Sequence, residues 1–299
     1  MTAGAIAVLA NPTAGRGRRR GLLPVLVERL AASGHPVRPL DAGTPEEAEA
    51  ACHAAVAEGA VAVIAVGGDG TVHRALQAVA GTDTPLGIIP TGTGNDLAAE
   101  VGLPAEPVAA ADVLATAVRE GSSRRVDLAR ISGPDDATRW YGAVLAAGFD
   151  AIVNERANGM RWPRGDRRYD IAILIELIRL RPRHYTLCLD GAVHEVDAVL
   201  LAVGNAACYG GGMRICPAAD LTDGLLDVVL AGPISRTTFA RIKPRVYAGT
   251  HVQHPMVSQF QASTVEIAAE GIITYADGER SCPLPVTVTC MPGALTVLG

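Results

Sequence analysis

Lysine is all but missing from this chain. Of its 26 Lys and Arg residues only Lys243 is a lysine, and it lies in Arg-Ile-Lys-Pro. That absence excludes two phosphate-handling devices. A P-loop needs lysine before Ser or Thr, and a protein kinase needs a strand lysine on the phosphates. Aromatic residues are scarce too, 4% of 299, which leaves few rings for stacking on bases. A net charge of −5 supplies no cationic field, so nucleic acid is not an expected partner. The six cysteines, at 52, 188, 208, 216, 282 and 290, contain no Cys-x-x-Cys pair, and the seven histidines have no zinc-type spacing. They read as small apolar residues and reduced thiols of a cytoplasmic protein. No uncharged apolar run reaches the ~18 residues of a membrane span. The segment from Met1 to Gly15 has no basic n-region and too short an apolar stretch for a secretory signal. No Gly-x-Ser-x-Gly elbow of a hydrolase occurs.

What is present is enough apolar residue, 49%, to build one large domain or two medium ones. Up to about residue 125 the chain alternates short β-branched runs with helical patterns. Strands are expected over residues 5–10, 37–40, 61–66 and 86–89, and helices after residue 22, over 44–58 and from 71 to 79. That βαβαβα order predicts a parallel sheet flanked by helices, with the loops after its strands building a site. From residue 126 onward the rhythm changes to strands over 126–131, 141–147, 185–189, 195–203, 224–230, 264–268 and 286–289. Asp-Gly turns separate several of them, and two helices near 169–179 and 236–248 interrupt them. The expectation is two domains: residues 1–125, α/β, and residues 126–299, mostly antiparallel β, whose last residues are able to pack back on the first.

Three segments in the first domain follow strand ends. Gly67-Gly68-Asp69-Gly70-Thr71 follows a strand buried on both faces and leads into a helix. Glycines there let the main chain approach a phosphate, and the helix start adds N–H groups. An aspartate among them repels bare phosphate but suits magnesium beside it; the alternative is a plain Asp-Gly turn. Asn11-Pro12-Thr13-Ala14-Gly15 and Gly92-Thr93-Gly94-Asn95-Asp96 end other strands, so all three loops emerge at one sheet edge. Asn95, Thr93 and the glycine amides are neutral phosphate and ribose binders. In the second domain Asp220-Leu221-Thr222-Asp223-Gly224-Leu225, with Asp227, offers hard oxygen donors around a glycine turn. Asp277-Gly278-Glu279 is an acid pair of the kind that accepts a hydroxyl proton in phosphoryl transfer, or simply a two-residue hairpin.

In this order and spacing these segments resemble the diacylglycerol kinase, sphingosine kinase and bacterial lipid kinase superfamily, in its soluble bacterial branch. The Gly67 to Thr71 turn is similar to those of NAD kinases and phosphofructokinases as well, which makes an NAD kinase-like phosphotransferase the alternative. The segment through Gly92-Thr93-Gly94-Asn95-Asp96 is much more specific to lipid kinases. The resemblance runs on through Gly204-Asn205, Tyr209-Gly210-Gly211-Gly212-Met213 and Asp277-Gly278-Glu279. It implies an ATP-binding α/β domain joined to a β-sandwich, with the site in the cleft between them. It implies an ATP- and magnesium-dependent kinase acting on a lipid hydroxyl, a diacylglycerol-like acceptor giving a phosphatidic-acid-type product. ATP would lie on Asn11, Pro12, Thr13, Ala14 and Gly15, and on Gly67, Gly68, Asp69, Gly70, Thr71, Val72 and His73. Thr93, Asn95 and Thr44 would complete the pocket, although Thr44 equally suits a helix N-cap. A further magnesium would take the side chains of Asp220 and Asp223 and the carbonyl of Leu225. Glu279 would be the base, with Asp69 and Asp277 as the other catalytic acids, Asp277 either near magnesium or orienting the base. A lipid enzyme also needs to meet an anionic bilayer. The arginines at 156, 161, 164, 167, 168, 179, 181 and 183, interleaved with Trp162 and Tyr169, form the patch expected to make that peripheral contact. A homodimer is compatible with the sequence.

Overall fold

The computed structural model describes residues 4–10, 21–134, 138–160, 162 and 167–299. In chain order the elements begin with β1 (Ile6–Ala10), α1 (Leu22–Ala31), β2 (Val37–Leu40), α2 (Pro45–Ala57), β3 (Ala62–Gly67), α3 (Asp69–Val79), β4 (Leu86–Pro90), α4 (Asp96–Glu100) and α5 (Pro107–Glu120). Next come β5 (Ser123–Ser132), β6 (Thr138–Tyr141), β7 (Val144–Ala146), α6 (Phe149–Gly159), α7 (Arg167–Ile178), β8 (Arg183–Leu189), β9 (Ala192–Ala198) and β10 (Leu200–Gly204). The last are β11 (Leu226–Ala231), α8 (Arg236–Tyr247), β12 (Val257–Ala262), β13 (Thr264–Ala268), β14 (Ile273–Ala276), β15 (Glu279–Pro283) and β16 (Val286–Leu298). The chain divides into a first unit, Met1–Leu128 with Pro292–Gly299, and a second, Ala129–Met291.

In the first unit β2, β1, β3 and β4 pair in that order, all parallel. The end of β16 joins them, parallel to β4, with Val297 opposite Leu86. β3 and β4 are buried along their whole length, as strands covered on both faces are. Gly87 shows how tightly a helix lies on the sheet: a Cβ there would stand 2.5 Å from Ile64 Cδ1 and 3.0 Å from a methyl of Leu114 in α5. The glycine loop expected over residues 67–71 is shorter than its composition suggests, because α3 already begins at Asp69. α5 was not apparent in the sequence. It starts with Pro107 at N1 under a Glu106 cap, its side chain accepting from the Ala109 amide at 2.6 Å, and stops at left-handed Gly121. Its body is largely alanine, which favours helix strongly but leaves a faint apolar stripe.

The second unit is a sandwich. One layer pairs β9, β8, β13 and β16 antiparallel, with the β5–β6 hairpin on β16. The other runs β12-β11-β10-β7-β14-β15. Two fully buried tyrosines tie the layers together: Tyr141 donates to the Val203 carbonyl at 3.0 Å and Tyr185 to the Ala147 carbonyl at 2.8 Å. Burial pushes both hydroxyls well above their ordinary pKa, so they remain donors. Two strands expected as continuous are broken. The 141–147 run divides at Gly142 and Ala143, whose amides donate to the Asp277 carboxylate instead of a strand neighbour. The 195–203 run divides at Val199, where the chain leaves β9 in one layer for β10 in the other. α6, α7 and α8 share a small apolar cluster of Phe149, Val153, Ala157 and Ala172, with Phe239 of α8 packed 4.6 Å from Phe149.

Thr44 opens α2 with a full capping box. Its hydroxyl accepts from the Glu47 amide at 3.2 Å, and Glu47 Oε2 accepts from the Thr44 amide at 3.2 Å and the Gly43 amide at 2.7 Å. Thr44→Ala is therefore expected to lower the unfolding free energy by about 1 kcal/mol and Thr44→Ser to keep it. Denaturant melts of the three proteins check this, and an unchanged midpoint for Thr44→Ala would show that the cap is idle.

Candidate functional site

Two loops of the first unit meet through glycine. Gly68, the N-cap of α3, lies so close to Gly92 that a Cβ added at Gly92 would stand 2.5 Å from Gly68 Cα. A Cβ at Gly67 would collide with the Thr71 side chain at 2.2 Å, and one at Gly94 with Asp69 Oδ2 at 2.3 Å, with Asp96 Oδ2 at contact distance, 3.4 Å. Each glycine is thus required by a specific neighbour. The Asp69 carboxylate fastens the contact: Oδ2 accepts from the Asn95 amide at 3.0 Å and Oδ1 from the Asp96 amide at 2.8 Å. Asn95 adopts the left-handed conformation (φ 60°), and its side chain closes the loop in both directions. Its Oδ1 accepts from the Gly92 amide at 2.9 Å and its Nδ2 donates to the Gly92 carbonyl at 3.1 Å. The main chain between strand end and helix is thereby fixed beside the N-terminus of α3, where the helix dipole is positive.

Of the residues expected at this site, Gly67, Gly68, Asp69, Gly70, Thr71 and Asn95 come together here, with Thr93 exposed on the same loop. Val72 and His73 are 4% and 6% exposed, turned into the core from α3. Thr44 serves its cap. Asn11, Pro12, Thr13, Ala14 and Gly15 lie outside the described residues, as do the arginines at 161 and 164.

The second unit uses the same device. Asp277, also left-handed (φ 51°), accepts from the Gly142 amide at 3.0 Å and the Ala143 amide at 2.8 Å. Asn205 Nδ2 donates to the Gly142 carbonyl at 2.9 Å, so this short stretch is held from both sides. Asp277 and Gly278 form the two-residue turn joining β14 to β15, with Ala276 opposite Glu279. Beside it lies a network that the sequence did not disclose. Glu155 on α6 accepts from Tyr275 at 2.8 Å and from Arg280 Nε at 3.0 Å, and Asn158 of the same helix donates to the Tyr275 hydroxyl at 3.0 Å. Arg280 holds the Glu155 carboxyl below its usual range, and burial, reinforced by Glu155, pushes the Tyr275 hydroxyl up to about 12. At the start of α6, Asp150 accepts from Tyr209, the first residue of the glycine hairpin that closes with Tyr209 bridged to Met213. Burial raises the Asp150 carboxyl, opposed by the Tyr209 hydrogen bond and by the positive charge of Lys243. These partners lie from about sixty to over a hundred residues apart in the chain, so no local motif could have announced them.

In the acidic loop Asp220 Oδ1 accepts from the Thr222 amide at 2.9 Å and its hydroxyl at 2.7 Å. Asp223 Oδ1 accepts from the Leu225 amide at 2.9 Å. Both carboxylates are exposed, whereas Asp227 is 4% exposed and accepts from Gln261 at 3.3 Å. Burial raises the Asp227 carboxyl, and the neighbouring Asp223 charge raises it further. The loop thus gathers hard oxygens, with Asp223 and Asp227 repelling one another. Among the described residues no group of three or more His, Cys, Asp or Glu side chains is disposed to hold a metal, so a cation here would need main-chain oxygen such as the Leu225 carbonyl, and water.

Residues 5–131 match the family of the Diacylglycerol kinase catalytic domain, and residues 143–299 match the YegS C-terminal NAD kinase beta sandwich-like domain. A protein named Diacylglycerol kinase from Mycobacterium tuberculosis (strain H37Rv) is 46% identical over 297 residues, covering 99% of this chain and 95% of that protein. A Probable lipid kinase YegS-like protein from Stenotrophomonas maltophilia is 30% identical over 249 residues, covering 80% of this chain and 79% of the relative. Among solved structures, a putative diacylglycerol kinase from Bacillus anthracis str. Sterne superposes with a TM-score of 0.81 at 23% identity. It covers 100% of this chain and 96% of that one, a likeness of fold.

The glycine contact makes a direct prediction. Gly92→Ala must force the two loops apart and is expected to cost roughly 1–3 kcal/mol. Gly159→Ala, at the end of α6 with nothing within 4 Å of its added Cβ, should be neutral or slightly stabilising. Urea unfolding of both checks it; equal stability would mean that the loops are not held in contact.

Proposed function

The chain belongs to the diacylglycerol kinase catalytic-domain family, in the two-domain lipid kinase form, and from that premise we propose that it transfers the γ-phosphoryl group of ATP to the hydroxyl of a diacylglycerol-like lipid, giving a phosphatidic-acid-type product. The observation that carries this reading is the Gly68–Gly92 contact clamped by Asp69. It supports a phosphate cradle made of main chain and helix N-terminus, which a chain with one lysine requires. The family resemblance adds Asn11 through Gly15 to the residues that would bind the nucleotide.

The donor chemistry fits magnesium as well as nucleotide. Asp69 borders Gly94 beside the cradle, and it is the carboxylate that would hold the ion there while it accepts from the two amides. Magnesium, when bound, would offset the phosphate charge and act as a Lewis acid. The chain's own residues do the rest. Gly68, Gly92 and Gly94 keep side chains away from the phosphates, and Asp69 keeps the loop from relaxing when they leave. Glu279 accepts the proton of the attacking hydroxyl. Asp277 has both oxygens engaged by amides, which supports an orienting role for it, and Glu155 with Arg280 steadies the strand that begins at Glu279. Asp220, Asp223 and the Leu225 carbonyl are the residues that would hold a second, structural magnesium; the repulsion between Asp223 and Asp227 is what a divalent cation would relieve.

Two measurements test the reading. Labelled ATP is offered with diacylglycerol, phosphatidylglycerol, a long-chain base, monoacylglycerol and NAD. Transfer to diacylglycerol is expected; transfer to NAD alone would replace the lipid reading with the phosphotransferase one. In the same assay Glu279→Gln is expected to lose roughly 10²–10⁴-fold in turnover with ATP affinity and melting temperature unchanged, since the amide keeps the shape but accepts no proton. The second measurement is thermal melting with and without magnesium. Asp223→Ala should lose the stabilisation that magnesium gives the parent, because an ion stabilises only the state that binds it. If parent and variant gain equally from magnesium, the structural-metal assignment fails.

A further inference from the structure

Helix α7 shows apolar side chains on two sides. Its buried positions are Ala172 and Glu176, while Leu174 and Ile178, four residues apart and on one face, are 58% and 57% exposed. Glu176 faces inward because Arg156 of α6 meets it in an ion pair. Ile173 and Leu177 pack against the cluster shared with α6 and α8, so the helix already satisfies its inner side and carries a second apolar stripe outside. A helix of a soluble domain normally has one such stripe, facing the core. Trp162, just before the helix, is 80% exposed. Among the described residues the exposed Trp, Leu and Ile side chains are these three, all in one segment.

The charges beside the stripe are mostly positive: one exposed acid, Asp170, lies a turn before Leu174 on the same face, against three exposed arginines. Arg167 at the start of α7 and Arg179 and Arg181 just past its end are exposed and form no ion pair among the described residues. α8, joined to α6 through Phe239 on Phe149, carries Arg236, Arg241, Lys243 and Arg245 and no acidic residue. At twelve residues α7 is far too short to cross a bilayer, and no described helix is long and apolar enough to do so. An apolar stripe of this length, edged by arginine and preceded by an exposed tryptophan, has the chemistry of a helix lying in the headgroup boundary of an anionic membrane.

We infer that Trp162, Leu174 and Ile178, with the arginines around them, form the face on which this protein rests on an anionic lipid surface. The inference builds on the lipid kinase reading, since a bilayer is where such an acceptor resides. It also gives α6 a place in the reaction. The helix that carries α7 on one side holds Tyr275 and Arg280 through Asn158 and Glu155, and those residues flank the turn to Glu279. The docked face is therefore one helix removed from the proposed base.

Vesicle flotation tests the inference directly, using phosphatidylcholine vesicles with and without phosphatidylglycerol. The parent protein should float with the anionic vesicles and be released by salt. Leu174→Ser combined with Ile178→Ser should weaken binding about tenfold or more, while Val193→Ser, an equally exposed site on β9, should not. Phosphorylation of long-chain diacylglycerol in those vesicles should fall with binding, and that of a short-chain diacylglycerol dissolved as monomers should stay within about twofold. Arg179→Ser with Arg181→Ser is the second variant; it should reduce binding to anionic vesicles and leave the weak binding to neutral ones alone. A parent that does not float, or a Leu174/Ile178 variant that floats like the parent, overturns the inference. So does a parent dimer abolished by the same substitutions without vesicle binding, which would assign the face to a second copy of the chain. Flotation without phosphorylation of any lipid form would instead sink the kinase reading and leave the docking face standing.

Discussion

Gly68 and Gly92 bring two stretches of main chain into contact, and Asp69 holds them there through the amides of Asn95 and Asp96. The rest of the first unit's site depends on this arrangement. The two loops can close on the start of α3 only because no side chain stands at positions 68, 92 or 94. The loop after β4 keeps its shape because Asn95, in the left-handed region, substitutes its own amide for the missing ladder partners of Gly92. A carboxylate whose two oxygens each accept a main-chain N–H is both satisfied and fixed, and its residual charge stays where the loop puts it.

The second unit solves a similar problem with the same chemistry. Asp277 does for Gly142 and Ala143 what Asp69 does for Asn95 and Asp96. In each case an aspartate near a tight turn reaches a stretch of chain that leaves its ladder, and the amides released by the strand are taken up by the carboxylate. Around Asp277 the support comes from α6, which anchors the glycine hairpin at one end through Asp150 and Tyr209 and the β14–β15 hairpin farther along through Glu155, Asn158, Tyr275 and Arg280. One helix thus holds two segments that the family resemblance marks out.

How much of this was legible in the sequence follows from the range of the forces involved. Strands such as β2 and β13 are set by local pattern and were readable to the residue or nearly so, and the parallel sense of the first unit's strands followed from their alternation with helices. The glycine segments after β3 and β4 were readable as loops at one sheet edge, and they do meet. α5 was not, because alanine supplies propensity without a stripe, and β12, β14 and β15 were not, because their alternation is weak and half exposed. The breaks at Gly142 and Val199 are imposed by partners far away in the chain. α6 was not among the expected helices, and the roles of Asp150 and Glu155 show only when Tyr209 and Arg280 arrive from elsewhere. The orientation of α7 was equally hidden: past its first turn the sequence is apolar on every side but Glu176, and the pairing of Glu176 with Arg156 and the packing of Ala172, Ile173 and Leu177 decide which side faces out.

The scarcity of lysine reaches into how the molecule can be handled. Apart from the chain's own α-amino group, Lys243 is the one primary amine it offers, and it is exposed on α8. Arginine does not react with the common acylating reagents, because its guanidinium stays protonated at any working pH. An amine-directed fluorophore, cross-linker or surface coupling would therefore report from, or tether the protein by, a single side chain on the helix next to α6. A reagent that in most proteins scatters over dozens of sites becomes here a nearly site-specific probe of the second unit, obtained without altering the sequence.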